Sequence, residues 1–286
     1  MKQFKRDESQ NSNKLHLDKY YTPEDLAKYV VTKTKEVIGE ENIIEFIEPS
    51  AGNGVFLKYL PKGTLSYDIE PEHKSIIKQD YLELELEYLK GRCIIGNPPY
   101  GSRLNLAKSF CNKSFEIAEY VSFILPISQL NNTQSIYKFD LIYSEDLKER
   151  VYSGMKVHCC LNIYKRPNSN KYNKKNSYKN SEIIEIREIR EVVKNDNPKR
   201  NRELGDFEYD IKMLAWGRAT NGRDVGCFLS IDESYAKTFY IKIKDKDNYN
   251  KIYGLLKNAK WKELYPMTAV PNLLQWQVYK YIEENI

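Results

Sequence analysis

Residues 43–54 read Ile43-Ile44-Glu45-Phe46-Ile47-Glu48-Pro49-Ser50-Ala51-Gly52-Asn53-Gly54. The β-branched and aromatic run at 43–47 predicts a buried strand, and the two glycines after it permit a tight turn and close approach of a ligand to the backbone. Working outward, strand signals recur at 64–67, 76–78, 93–95, 121–125 and 157–164, with helix signals at 54–60 and 104–119 between them. Upstream, Thr22-Pro23-Glu24-Asp25 predicts a helix start: Thr22 caps, Pro23 takes the first helical position, and the acids face the positive end of the dipole. The alternation predicts an α/β fold, a doubly wound and mainly parallel sheet with helices on both faces. Ligands of such sheets bind beyond the carboxyl ends of the strands, so the loops after strands are where chemistry belongs.

After Lys165 the texture changes. The Asn/Lys/Tyr-rich stretch to 180 lacks apolar periodicity and reads as a linker or exposed loop. Residues 181–193 fit neither the helical nor the strand period, 225–231 and 238–243 read as strands, and 272–284 reads as a helix. The expected organisation is a polar tail at 1–19, a first domain at 20–165, and a basic linker with a second, smaller α+β region at 166–286.

The chain has 286 residues, with 45 Lys plus Arg against 40 Asp plus Glu, for a net charge of +5. Residues 165–202 hold twelve of the basic and five of the acidic groups, leaving 33 and 35 in the rest, so the whole positive excess lies in one segment. Interleaved with Tyr172 and Tyr178, that segment suits a polyanion-binding surface; a solvated linker has the same texture. No apolar run nears the ~18 residues of a membrane span, which excludes a helical membrane protein. The polar start gives no secretory signal, and the five cysteines form no C-x-x-C, so a cytoplasmic protein without a zinc module is expected. Neighbours on a strand face opposite ways, so His158-Cys159-Cys160 reads as core rather than as a metal site.

Asn97-Pro98-Pro99-Tyr100 follows the strand at 93–95. Two prolines hold a stiff, extended loop with fixed φ and no N–H. That rigidity suits Asn97 Oδ1 and the Pro98 carbonyl as paired acceptors for both hydrogens of one planar amine, aiming its lone pair at an electrophile, with Tyr100 stacked on the flat substrate. In the 48–54 loop, a dinucleotide fingerprint needs a third glycine where Leu57 stands, and no lysine-bearing phosphate loop is present. Asp68, ending the second strand, can accept ribose hydroxyls, and Asp80 with Tyr81 can meet an adenine amine and ring.

Together these residues resemble the N6-adenine DNA methyltransferases that use S-adenosyl-L-methionine, in the γ-class order: Tyr21-Thr22-Pro23, then 48–54, then Asn97 to Tyr100, then a distinct C-terminal region. The resemblance spans 20–165 and implies a Rossmann-like methyltransferase fold. It implies that Tyr21, Thr22, Pro23, Glu48, Ala51 and Gly52 lie by the methionine end of the cofactor, with Asn97 also in reach. Asp68 would hold the ribose, Ile69 pack on the adenine, Asp80 bind its N6 and Tyr81 flank its ring. Asn97 and Pro98 would grip the target amine, with Tyr100 and Tyr152 sandwiching the flipped base. The implied reaction is direct methyl transfer to adenine N6 in double-stranded DNA without a metal. RNA or protein glutamine are the other planar-amine substrates, and a catalytically silent nucleic-acid-binding relative is a further reading. Lys171, Lys174, Lys175 and Lys179 are candidate phosphate contacts. Arg218 and Arg223, in the Gly-rich loop 216–223, are candidates for guanine or phosphate. A monomer that partners a restriction endonuclease at the same site is the expected assembly.

Overall fold

Alternation along a strand sends neighbouring side chains to opposite faces, so a strand apolar at every position must be covered on both sides. The computed structural model describes residues 21–152, 154–176, 178, 181–190, 204–217, 222–233, 235–267 and 270–286. The expected tail at 1–19, Lys179 and Arg218 lie outside them. The chain divides into two compact units, Met1–Lys175 and Asn176–Ile286.

In the first unit, β1 (Glu45–Glu48), β2 (Leu65–Asp68), β3 (Ile77–Lys78), β4 (Leu89–Gly96), β5 (Ala118–Pro126), β6 (Asp140–Tyr152) and β7 (Met155–Lys165) form one sheet in the order β3-β2-β1-β4-β5-β7-β6. The first five run parallel, and β7 is antiparallel to both of its neighbours. Helices α1 (Glu24–Ile38) and α2 (Asn105–Ile117) take opposite faces. Ile94 joins Ile47, Val121, Phe123 and the α2 residues Phe110, Cys111 and Phe115. Cys93 and Ile95 join Phe46, Ile124 and the α1 residues Leu26, Val30 and Val31. The expected doubly wound sheet is therefore the observed one. Strand order reverses between β1 and β4, which leaves a crevice between the loops that follow them.

Three local expectations change. Helix α1 begins at Glu24 with no side-chain cap, one residue later than expected, and Thr22 is spent elsewhere. The helix expected at 54–60 is a single tight turn, Phe56–Lys58, because Gly54 turns the chain at φ +77° and Pro61 stops any continuation. Strand β6 was not evident in the sequence: register shifts after Leu141 and Asp146 break its alternation, and its charged residues suit an edge position.

The first unit also runs past 165. The Arg166 guanidinium lies 4.3 Å from the Tyr88 ring centroid and 5.0 Å from that of Phe139. Tyr172 donates its hydroxyl to the Phe115 carbonyl at 3.2 Å, and Asn173 donates Nδ2 to Asp140 at 2.7 Å. The start of the expected linker is thus strapped to the first unit.

The second unit holds an antiparallel sheet, β8-β10-β9, of β8 (Ile184–Ile189), β9 (Ile211–Leu214) and β10 (Thr238–Ile243). Helices α3 (Tyr249–Asn258), α4 (Trp261–Leu264) and α5 (Gln275–Asn285) supply Ile252, Leu256, Trp261, Val278 and Ile282 to its core. The ambiguous 181–193 stretch contains β8, with Ile184 and Ile186 inward. The strand expected at 225–231 is a loop touching β9 at one bridge, Met213 to Phe228. Glu233 staples that loop by accepting from Arg223, from Ser230 N at 2.8 Å and from Tyr235 at 3.3 Å.

Phe115 is 1% exposed, with its ring 4.2 Å from Phe139 and 6.0 Å from Tyr164. Replacing Phe115 by Ala should cost about 3–5 kcal/mol, read as a lowered urea midpoint for the first unit.

Candidate catalytic site

The site is built from four backbone segments brought to one end of the sheet: residues 21–23 before α1, and the loops after β1, β2 and β4. Strand β1 delivers Glu48 at 1% exposure to the floor of the crevice. Beyond it, Gly52 adopts φ +52°, a left-handed conformation that favours glycine, with the Tyr21 ring alongside it. The turn is tied to the neighbouring strand: Ala51 N donates to Tyr67 O at 2.9 Å, and Gly52 N donates to Asp68 Oδ2 at 2.7 Å. Asp68 Oδ1 accepts from Glu70 N at 2.8 Å, so this carboxylate fixes both its own loop and the glycine turn. Each oxygen keeps acceptor capacity for a further donor. Glu72 closes the group: its N–H donates to Gly52 O at 3.1 Å and its carboxylate accepts from the Tyr21 hydroxyl.

Glu48 Oε2 is buried without a hydrogen-bond partner. Burial first, and the Asp68 carboxylate second, hold this carboxyl well above the usual carboxylate range. A buried acid beside another acid favours its neutral form, and an adjacent positive charge would reverse that preference.

Asn97 leaves β4 into the stiff Pro98-Pro99 segment, and Pro98 is buried. Its carboxamide is held from both ends: Nδ2 donates to Thr22 Oγ1 at 3.2 Å, and Oδ1 accepts from the Tyr100 hydroxyl at 3.1 Å. Its backbone carbonyl accepts from Ser50 Oγ at 3.3 Å. Thr22, expected as a helix cap, is therefore the partner of Asn97. The Tyr100 ring packs on both cores of the first unit, and its oxygen lies 3.3 Å from Cys159 Sγ. Burial and the adjacent sulfur raise the Tyr100 hydroxyl well above its ordinary value, so it stays protonated and donates.

The remaining expected residues divide. Ile69 follows β2 and is 43% exposed, an apolar side chain offered at the rim. Asp80 accepts from Leu82 N at 2.8 Å and so caps the turn Tyr81–Glu83. Tyr81 is not positioned to flank a ligand ring: it is 1% exposed, its ring lies 5.4 Å from Phe110, and its hydroxyl sits 2.9 Å from Ser114 Oγ. Its apolar ring is worth more to the α2 core than to a solvated rim. Tyr152, 52 residues beyond Tyr100, does meet it around Cys159, but at 1% exposure its ring has no open face for a base. Lys171, Lys174 and Lys175 are exposed. Arg223 is not: its guanidinium is held by Glu233 and by the Phe228 carbonyl at 3.0 Å, which removes it from base or phosphate reading as arranged. Ser50, Glu72 and Cys159 were missed by sequence reasoning. Only Cys159 carried a signal, its place on an apolar strand beside the expected aromatic.

No family model matches the chain. A stretch of 109 residues is 33% identical to Type II methyltransferase M.HincII of Haemophilus influenzae, covering 34% of this chain and 20% of that protein. The match to M.HindII of Haemophilus influenzae strain Rd has the same identity and covers 19% of that protein. Part of this chain is similar to Type II methyltransferases. The chain spans about a fifth of the length of these curated relatives. Among solved structures, the 23S rRNA methyltransferase ErmE aligns with a TM-score of 0.40 at 14% identity, over 56% of this chain and 74% of its own.

The raised Glu48 carboxyl has a sign that can be checked. Its stabilising share is complete below the ordinary glutamate value near 4.3 and is lost as pH rises through the raised folded-state value. Glu48→Gln should therefore overtake the wild type in urea midpoint as pH rises from about 4 to 8. Parallel pH curves for the two proteins would contradict this.

Proposed function

We propose that this chain transfers a methyl group from S-adenosyl-L-methionine to N6 of an adenine rotated out of double-stranded DNA. The observation that carries the reading is the Asn97 carboxamide, fixed by Thr22 and Tyr100 at the mouth of the β1/β4 crevice. Similarity to Type II methyltransferases favours DNA over RNA or protein as the acceptor.

The residues of the crevice fit the cofactor's chemistry. Glu48 presents a buried oxygen without a partner, the complement of a cationic methionine end, and Asp68 and Ile69 offer a carboxylate and an apolar surface side by side. Glu48, Ala51, Gly52, Tyr21, Thr22 and Pro23 would hold that end, with Asp68, Ile69 and Asp80 on the nucleoside. When bound, the cofactor supplies a methyl group made electrophilic by the sulfonium.

This chain's residues act on the acceptor. Asn97 Oδ1 and the Pro98 carbonyl accept the two amine hydrogens, which turns the nitrogen lone pair toward the methyl donor. With Thr22 on Nδ2 and Tyr100 on Oδ1, the amide is fixed so that an oxygen and not an N–H faces the amine. Tyr100 stacks on the base, and the amine proton is released to solvent after transfer. The second unit reads the DNA sequence, and Lys171, Lys174 and Lys175, with Lys179, contact phosphate. Arg223 enters only if Glu233 releases it. In the cell the enzyme protects the recognition site of a companion endonuclease.

Asn97→Ala should lower methyl incorporation into duplex DNA on the order of 10²–10³-fold, the loss expected for removing one preorganised group. Calorimetry should show cofactor binding retained, and normal incorporation would overturn the assignment. Presenting duplex DNA, structured RNA and ribosomal protein as acceptors separates the substrate classes. Cofactor binding should release a proton from Glu48 and tighten as pH rises toward its raised value, seen as a binding enthalpy that depends on the buffer's ionisation heat. Replacing Lys171, Lys174, Lys175 and Lys179 by Gln should flatten the salt dependence of DNA binding by roughly one unit per lost phosphate contact.

A further inference from the structure

An amide has no intrinsic preference for which end faces the substrate, so something must orient Asn97. Its Nδ2 contact cannot do so alone, because the Thr22 hydroxyl donates or accepts with equal ease. The Tyr100 hydroxyl has the same ambiguity until its other neighbour is considered. That neighbour is Cys159, 0% exposed on β7, with Sγ 3.3 Å from the Tyr100 oxygen. A carbonyl is a far better acceptor than sulfur, so the Tyr100 proton goes to Asn97 Oδ1 and the thiol proton goes to the Tyr100 oxygen. The buried Tyr152 hydroxyl lies by the same sulfur and has no better partner. The result is a directional chain from Cys159 through Tyr100 to Asn97, ending on Thr22.

We propose that Cys159 is a positioning residue for methyl transfer: its thiol sets the direction of the Tyr100 hydroxyl and thereby turns Asn97 Oδ1 toward the acceptor amine. This rests on the function proposed above. The sulfur holds that direction during the reaction: Oδ1 has two lone pairs, so the amine takes one while the Tyr100 proton keeps the other. Two points of attachment on one hydroxyl also fix the plane of the ring that stacks on the base. Neighbouring Cys160 faces the other way, with its sulfur 3.4 Å from Pro126 O and its packing on the α2 side, and takes no part.

The test compares Cys159→Val, which fills the space without a donor, with Cys159→Ser, which restores donor and acceptor. Cys159→Val should lower kcat about tenfold with little change in cofactor KM, and Cys159→Ser should recover most of the loss. Equal kcat in wild type and Cys159→Val, or a serine variant as slow as the valine one, overturns the proposal. An independent reading is the S–H infrared stretch of Cys159, isolated as the difference between wild type and Cys159→Val. It should lie at the frequency of a hydrogen-bonded thiol and move toward that of a free thiol in Tyr100→Phe; a band indifferent to Tyr100 overturns the proposal even if kcat changes. Failure of the underlying function shows itself differently, as a wild-type chain that methylates no DNA while the infrared band still responds to Tyr100.

Discussion

Ile47 is paired on one side with Leu65 and on the other with Ile94, and this central position of β1 is the constraint on which the site depends. From β1 the chain goes outward to β2 and β3, then must return across β1 to start β4. The loops leaving β1 and β4 therefore turn to opposite faces, and the space between them cannot be filled by either. Strand β1 ends on an acid after the buried apolar pair Phe46-Ile47, so the floor of that space is a carboxyl group. Everything placed there by other segments closes around it: the Tyr21 ring over Gly52, the Asp68 bridge to the glycine turn, and Thr22 against Asn97. The crevice is a consequence of strand order, and its chemistry is a consequence of which residues end each strand.

Burying Glu48 beside Asp68 is unfavourable for the empty protein, since nothing described compensates its unpaired oxygen. Sites that must bind a cation commonly carry such a deficit, because the same groups that weaken the free state strengthen the bound one. Asp68 differs. Both its oxygens accept backbone N–H groups, which makes it a structural strut as well as a candidate ligand. Two carboxyls at the ends of adjacent strands thus have separate roles, one buried with an oxygen that has no partner and one braced by backbone donors.

How much of this was legible depended on whether the deciding contacts were local. The strands β1, β4 and β5 were readable because burial on two faces leaves short apolar runs in the sequence, and the helix α2 because its one buried face leaves a helical period. Asn97 to Tyr100 was readable because two prolines leave a loop few conformations. The missing helix at 54–60 turned on Gly54 and Pro61, whose joint effect leaves space for one turn. Strand β6 was hidden by its own bulges. Tyrosine was the least legible residue: Tyr81, Tyr100 and Tyr152 have the same apolar ring and polar tip, and only the packing around each decides whether the ring serves the core or a ligand. Tyr81 goes to α2, Tyr152 goes to the α1 side, and Tyr100 alone touches both cores and the loop that carries Asn97.

Arginine poses the same problem with charge in place of shape. Arg166 and Arg223 both belong to stretches that look like free basic surface, yet each is used within its own unit. Arg166 is stacked on Tyr88 and Phe139, and Arg223 is held by a glutamate ten residues later in sequence. A guanidinium is planar, weakly hydrated and able to donate in several directions, which suits it to such internal ties. Lys171, Lys174 and Lys175 are strongly hydrated point charges on flexible stems and stay in solvent. The positive excess of the 165–202 segment is therefore not one surface. Its arginine at 166 anchors the start of the segment, and that anchoring is what gives the exposed lysines after it a fixed place on the first unit from which a phosphate backbone could be met.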